Sequence, residues 1–253
     1  MLRKAKDLNG YKLEARDGDI GNIKEFYFDD HSWTVRYLVA DTGGWLSGRT
    51  VLISPYALSP ANEDSKSIPV DLTKIQIERS PSLDTDRPVS RQYEWEYFSF
   101  YGWPAYWDGP YTWGPSAYPT LAQTRWSEAS REQTDDPHLR STRDVSGRDI
   151  QAQDGQIGHV EDFVIDDETW MIRYLIVNTQ NWLPGKKVLI PTQWIERISW
   201  EESKVFVHKT GETIRHSPEY TDQTLITRDH EIKLHRHYGR EDYWADDPAR
   251  STR

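Results

Sequence analysis

Over residues 33–40 the side chains alternate, with Trp33, Val35, Tyr37 and Val39 on one face of an extended chain and Thr34, Arg36 and Leu38 on the other. β-Branched and aromatic residues at a period of two predict a strand. Upstream, residues 10–15 and 20–28 read as two further extended segments, joined by Arg16-Asp17-Gly18-Asp19. Asp-Gly between apolar runs is a hairpin signal, because glycine tolerates the positive φ of a tight turn. Gly21 marks a bulge or a close approach of backbone. Asp29-Asp30-His31-Ser32 supplies the next turn and residues 43–48 a glycine-rich loop. Residues 49–54 form a strand stopped by Pro55, and a weaker strand lies around residues 67–71. Short strands and tight turns at this density predict a small β-barrel or sandwich, and closing the sheet would remove its exposed edges.

The pattern then repeats. Asp17-Gly18, Ile20-Gly21, Phe26, Asp29-Asp30, Trp33 and Arg36-Tyr37-Leu38 return as Asp154-Gly155, Ile157-Gly158, Phe163, Asp166-Asp167, Trp170 and Arg173-Tyr174-Leu175. The offset is constant (154 − 17 = 137 and 170 − 33 = 137), which is the signature of a tandem duplication. Residues 148–152, 157–165 and 170–177 are the matching strands, Val188-Leu189-Ile190-Pro191 matches Val51-Leu52-Ile53-Ser54, and residues 195–200 and 204–207 form a final hairpin.

Outside the strands the same offset pairs Ser80-Pro81 with Ser217-Pro218, Arg91 with Arg228, Tyr101-Gly102 with Tyr238-Gly239 and Tyr106-Trp107 with Tyr243-Trp244. Ser-Pro predicts a helix start, serine as cap and proline in the first turn. Residues 227–238 have helical composition and Gly239 is a natural stop. Each repeat is therefore expected to be a barrel with a helical tail. Between the repeats, residues 98–126 interleave Trp103, Trp107, Trp113, Tyr106, Tyr111 and Tyr118 with prolines and three glycines. Pro and Gly at that density forbid a helix or strand of any length. Residues 127–137 are polar and acidic and suit a hinge, and residues 246–253 are expected to fray.

The chain has 253 residues, 36% of them hydrophobic, so the apolar material must be concentrated; 12 Trp and 14 Tyr carry much of it. A formal charge of -10 opposes the phosphate contacts of nucleic-acid binding and attraction to anionic membrane surfaces. Having no cysteine excludes disulfides, thiol nucleophiles and thiolate metal sites. The amino terminus carries no secretory signal and no stretch approaches the roughly 18 apolar residues of a spanning helix, so a soluble, cytoplasmic protein is expected.

Candidate chemistry is sparse. Asp29-Asp30 and Asp166-Asp167 could be an acid/base couple or a hard-metal site, but neighbours on an extended chain point to opposite faces, and turn aspartates satisfy backbone donors. His230, His235 and His237 do not share the helical spacing that metal ligands need, and a solvated helix surface is the expectation for them. Trp33, Trp170, Tyr37 and Tyr174 are expected in the core. Arg36 and Arg173 are expected to cover apolar surface with their stems rather than to anchor through their guanidinium groups. Trp45 and Trp182 sit in loops beside glycine, where each either lids its own barrel or anchors a partner. Trp103, Trp107 and Trp113 either pack between the repeats or bind a partner in extended form.

Gly10, Asp17-Gly18, Ile20-Gly21, Phe26, Asp29, Tyr37-Leu38-Val39 and Val51-Leu52-Ile53-Ser54-Pro55, with their second set from Gly147 to Pro191, make the chain resemble the PRC-barrel family of bacterial proteins. The resemblance covers about residues 2–80 and 139–216. It implies two six-stranded β-barrels and a role in assembly, with no catalytic residues, cofactor or metal to carry over. Members resemble the barrel of the photosynthetic reaction-centre H subunit and that of a ribosome-maturation factor, although this chain lacks the spanning helix of the one and the partner domain of the other.

The resulting expectation is a mainly β chain, with a first barrel over residues 1–80, a helical tail and aromatic linker over 81–137, a second barrel over 138–216 and a helical tail over 217–253. Its expected role is that of a non-enzymatic interaction module for another protein or complex, with Trp45, Trp182, Trp103, Trp107 and Trp113 as partner-binding candidates. A small-ligand or metal pocket between the barrels is the alternative, and a ribosome or RNA factor the third. A homodimer is one partner arrangement, although an internal duplicate already supplies the contact that single repeats would make between chains.

Overall fold

A computed structural model describes residues 1–46, 49–82, 89–121, 139–179, 186–239 and 244. The first repeat runs β1 (Leu2–Lys4), α1 (Ala5–Leu8), β2 (Lys12–Ala15), β3 (Gly18–Asp29), β4 (Thr34–Asp41), β5 (Val51–Ile53), β6 (Ser67–Val70), α2 (Lys74–Arg79) and the tail helix α3 (Arg91–Tyr101). The second runs β7 (Leu139–Ser141), α4 (Thr142–Val145), β8 (Asp149–Ala152), β9 (Gly155–Asp166), β10 (Met171–Asn178), β11 (Lys187–Pro191), β12 (Ile195–Ser199), β13 (Lys204–Val207), α5 (Gly211–Arg215), β14 (Glu219–Tyr220) and the tail helix α6 (Arg228–Tyr238). The fold is mainly β, in two repeats.

The hairpin of β2 and β3 closes over the expected Asp17-Gly18 turn, with Ala15 opposite Gly18 and a register shift between Leu13 and Glu14. At Gly21 (φ 125°) an added Cβ would lie 2.0 Å from the Asp41 carbonyl oxygen, and at Gly158 (φ 146°) 2.1 Å from that of Asn178. Only glycine admits that approach. Trp33 and Trp170 are buried as expected but are not strand residues: their φ values of 52° and 58° close the turn, and the strand starts one residue later. Every residue of β4 from Thr34 to Ala40 is buried, so the strand has no solvent face and the alternation reports which layer each side chain meets.

Ser80-Pro81 and Ser217-Pro218 do not start helices. Ser80 is the C-cap of α2, whose start is Thr73; Thr73 and Gln76 form a reciprocal capping box. Thr210 caps α5, which ends just before Ser217. Proline here follows a helix end, where it stops the helix. The Asp of each tight turn also feeds these short helices: Asp17 Oδ1 accepts the Lys74 N–H at 2.8 Å, and Asp154 Oδ1 the Gly211 N–H at 2.6 Å. The tail helices begin instead at Ser90 and Thr227, each accepting from the residue three positions on, and stop at left-handed Gly102 and Gly239. Helix α3 thus takes in Phe98 to Tyr101, the start of the stretch expected to hold no helix. Proline is absent there, and the break comes at Gly102.

The chain divides into two compact units that do not follow the repeats: Met1–Val145 with Phe163–Arg173, and Ser146–Asp162 with Tyr174–Arg253. In the first, the strand path is β6–β2–β3–β4–β5, with β2 and β6 parallel. Among the described residues no pairing joins β5 to β6; a 3-10 turn at Pro55–Ala57 and a bridge from Leu58 to Val70 cross that gap. Leu13, Phe26, Val35, Tyr37, Leu38, Ile53 and Ile77 fill its core. In the second, the path is β12–β13–β8–β9–β10–β11–β14, with β8 and β13 parallel, over Ile150, Val160, Leu189, Val205, Ile214 and Leu234.

Candidate functional site

Within the first unit, each repeat's short first strand adds to the long strand of the other repeat. In β1, Leu2, Arg3 and Lys4 lie opposite Asp166, Ile165 and Val164 of β9. In β7, Leu139, Arg140 and Ser141 lie opposite Asp29, Phe28 and Tyr27 of β3. Moving both strands of one ladder by the duplication offset gives the other. Charge follows the same rule: Arg3 Nε meets Asp167 Oδ2 at 2.6 Å, and Arg140 Nε meets Asp30 Oδ2 at 2.6 Å. Between the ladders, Val35 N–H donates to the Trp170 carbonyl at 2.8 Å and Ile172 N–H to the Trp33 carbonyl at 2.6 Å, with Met171 opposite Thr34. Phe28 and Phe163 meet with ring centroids 5.7 Å apart.

The aspartate pairs divide their labour. Asp29 Oδ1 accepts the N–H groups of His31 and Ser32, as the turn expectation holds, while Asp30 and Asp167 carry the ion pairs to the other repeat. Among the described residues no cluster of three or more His, Asp or Glu could hold a metal ion.

Arg36 departs from its expected role. Its guanidinium, not its stem, is the working part: it is buried, donates to the Thr112 carbonyl at 2.7 Å and to Asp29 at 3.2 Å, and lies 3.7 Å from the centroid of the Tyr106 ring. Burial works to raise Asp29, but Arg36 and the two turn N–H groups outweigh it and hold the carboxyl below its ordinary range. Arg173 repeats the pairing with Asp166 at 3.0 Å.

Thr112 belongs to the aromatic stretch that follows α3. This stretch folds back on the first unit. Trp113 is fully buried, packs on Tyr56 at 5.2 Å and donates its indole N–H to the Thr169 carbonyl at 2.9 Å. Trp103 is buried and stacks on Tyr101 at 4.4 Å. Trp107 is half-buried, beside Phe98 and under Arg91.

At the meeting of strand, tail helix and aromatic stretch lies a carboxyl that sequence spacing did not flag. Glu94 Oε1 accepts from the Tyr37 hydroxyl at 3.0 Å and the Tyr106 hydroxyl at 2.9 Å, and Oε2 pairs with Arg91 at 3.0 Å. Burial pushes Glu94 up to about 7, against the pull of Arg91 and the two hydroxyls. The second unit has the counterpart: Tyr174 donates to Glu231 at 2.8 Å, Arg228 pairs with Glu231 at 3.1 Å, and Trp244 lies over Arg228. His235 stands where the first repeat has Phe98. It is buried, with Nε2 3.1 Å from the Tyr174 hydroxyl, so it does not lie on a solvated face.

Of the partner-binding candidates, Trp103 and Trp113 point inward and Trp107 is half-covered. Trp45 is half-buried with the Lys74 ammonium of its own repeat 4.5 Å from its ring, and Trp182 lies outside the described residues. The residues that sequence reasoning missed are Arg3, Arg140, Glu94 and Glu231. Their signal was present: each recurs with its charge at the duplication offset.

The family model of the PRC-barrel domain matches the chain twice, over residues 2–77 and 138–214. No curated protein matches it.

Proposed function

The chain belongs to the PRC-barrel domain family, and from that premise we propose that it is a non-enzymatic interaction and assembly module whose partner is another protein or protein complex. The observation that carries this reading is the sealing of the carboxyl–tyrosine clusters under the two tail helices. Glu94, Tyr37, Glu231, Tyr174 and His235 are each 2%, 0%, 3%, 1% and 2% exposed. Groups so enclosed hold the tail helices to the strands and cannot reach a substrate in this conformation. Less favours a ligand pocket lined by these tryptophans, since Trp103 and Trp113 are buried and the Trp113 indole is engaged by the Thr169 carbonyl. The acidic balance speaks against RNA. No helix among the described residues is long and apolar enough to cross a membrane.

Ile75, Phe100 and Tyr111 are among the exposed large side chains of the first unit and are the candidate contacts it offers outward. The test is cross-linked capture from native lysate with the intact chain and with an Ile75→Ser, Phe100→Ser, Tyr111→Ser variant of unchanged circular dichroism. A stoichiometric partner recovered by the first and lost by the second is the expected result. A turnover activity that survives purification and dies with one substitution would overturn the reading.

A further inference from the structure

The two ladders at the repeat junction are built from the same parts. Each joins a three-residue strand to a long strand's end with an Arg–Asp pair at 2.6 Å, related to the other by the duplication offset, and the first ladder adds the Met1 ammonium on Asp167 and Arg3 on Glu63. Such a junction is complementary to itself, as the interface of a two-fold dimer is. Nothing in its chemistry requires that the two repeats share a chain. The Trp113 indole bond to Thr169 and the crossed bonds between Trp33, Val35, Trp170 and Ile172 also join one repeat to the other.

We propose that this junction is a self-recognition surface and that its partner in trans is a second copy of this chain, the first repeat of each molecule taking the first strand of the other's second repeat. This rests on the module reading and names its partner. Specificity comes from charge: Arg3 of the first repeat pairs with Asp167 of the second and Arg140 of the second with Asp30 of the first, while Arg3 also pairs with Glu63 of its own repeat at 2.9 Å. With no cysteine in the chain, the junction is not covalently locked. The repeats belong to one chain, and covalent linkage of two pairing modules sets an effective concentration of about millimolar. Pairing within one chain therefore wins in dilute solution, and exchange grows as the chain is concentrated, as at an assembly site. Reciprocal exchange closes a dimer, and exchange that does not close makes a linear string of copies.

The test uses two full-length variants. One carries Arg3→Asp and Asp30→Arg, the other Arg140→Asp and Asp167→Arg. Each alone sets like charges against each other at both ladders. Together they form an exchanged dimer in which one junction has inverted Arg–Asp pairs and the other the native pairs, so all four of these pairs are complementary, while in the inverted junction position 3 opposes Glu63 and position 167 the Met1 ammonium. After joint unfolding and refolding, light scattering is expected to give a one-to-one dimer of twice the chain mass, with thermal stability above that of either variant alone. Two monomers that keep their separate, lowered stabilities would overturn the proposal. As a second measurement, native chains labelled with donor or acceptor dye are co-refolded at rising concentration. Energy transfer that grows with concentration supports exchange, and its absence at every concentration refutes it. A monomer that still captures a foreign protein leaves the module reading standing and removes only self-pairing.

Discussion

Glu94 accepts a hydrogen bond from Tyr37 at 3.0 Å, and this one contact ties the tail helix of the first repeat to the most buried strand of its sheet. The carboxyl has been taken out of water to make it, and burial lifts it from an ordinary 4.5 to about 7. Between those values the folded chain holds a proton that the unfolded chain has released. Glu94 therefore favours the folded state fully below about pH 4.5, and that contribution is lost as pH rises through about 7. Its size is on the order of 3 kcal/mol. Glu94→Gln keeps an acceptor oxygen for the hydroxyls and removes the charge. Its stability against urea should vary less between those pH values than that of the native chain, and exceed it at about pH 8. Parallel curves would show that Glu94 does not titrate in this window.

Trp113 should matter more than its neighbours in the aromatic stretch. Trp113→Ala removes a fully buried ring and should cost about 3–5 kcal/mol in chemical denaturation. Trp113→Phe keeps most of the ring but leaves the Thr169 carbonyl without its indole donor, a loss of about 1–3 kcal/mol. Trp107→Ala, at a half-buried site, should cost less than either. Equal losses at 107 and 113 would contradict the packing described.

The two equivalent arginines should respond differently. The Arg36 side chain is 3% exposed and that of Arg173 is 12%. Lysine at position 36 cannot reach Thr112 and Asp29 together, and breaking a buried pair costs about 3–5 kcal/mol. Arg173→Lys should cost less. Thermal unfolding of the two variants side by side decides it.

Gly21→Ala tests the bulge. The new methyl would overlap the Asp41 carbonyl at a φ of 125°, so a destabilisation of about 3 kcal/mol is expected. Gly10→Ala, at a positive φ but with open space around it, should cost less, since it carries backbone strain without the overlap. Similar losses at both sites would mean that strain, not the carbonyl, sets the demand for glycine at 21.

Much of this fold was legible because duplication writes the same physics twice. Strand alternation, the Asp-Gly turns and the Gly102 and Gly239 stops are local, and local preferences survive folding. Ser80-Pro81 misled because Ser-Pro suits a helix start and a helix end alike; Thr73 and Gln76, three positions apart, held the better signal. His235 looked solvated because the spacing of histidines along one helix says nothing of Tyr174, which approaches from another element. Arg36 was read by its stem because its acceptors, Asp29 and Thr112, could be joined only by the folded aromatic stretch. The strand exchange was hidden for a related reason. When two copies carry identical edges, periodicity shows that an edge needs a partner but not which copy supplies it.

That exchange also sets a clock on biosynthesis. Arg140 reaches back 110 positions to Asp30, so one edge of the end of β3, the edge away from β4, has no neighbour until the ribosome has made the second repeat's opening strand. At roughly 5–20 residues per second this is an interval of roughly 5–20 s. Throughout it the nascent first repeat carries an unpaired strand edge, the kind of surface that invites the wrong strand. On a crowded polysome the nearest copy of the missing strand belongs to the neighbouring chain ahead.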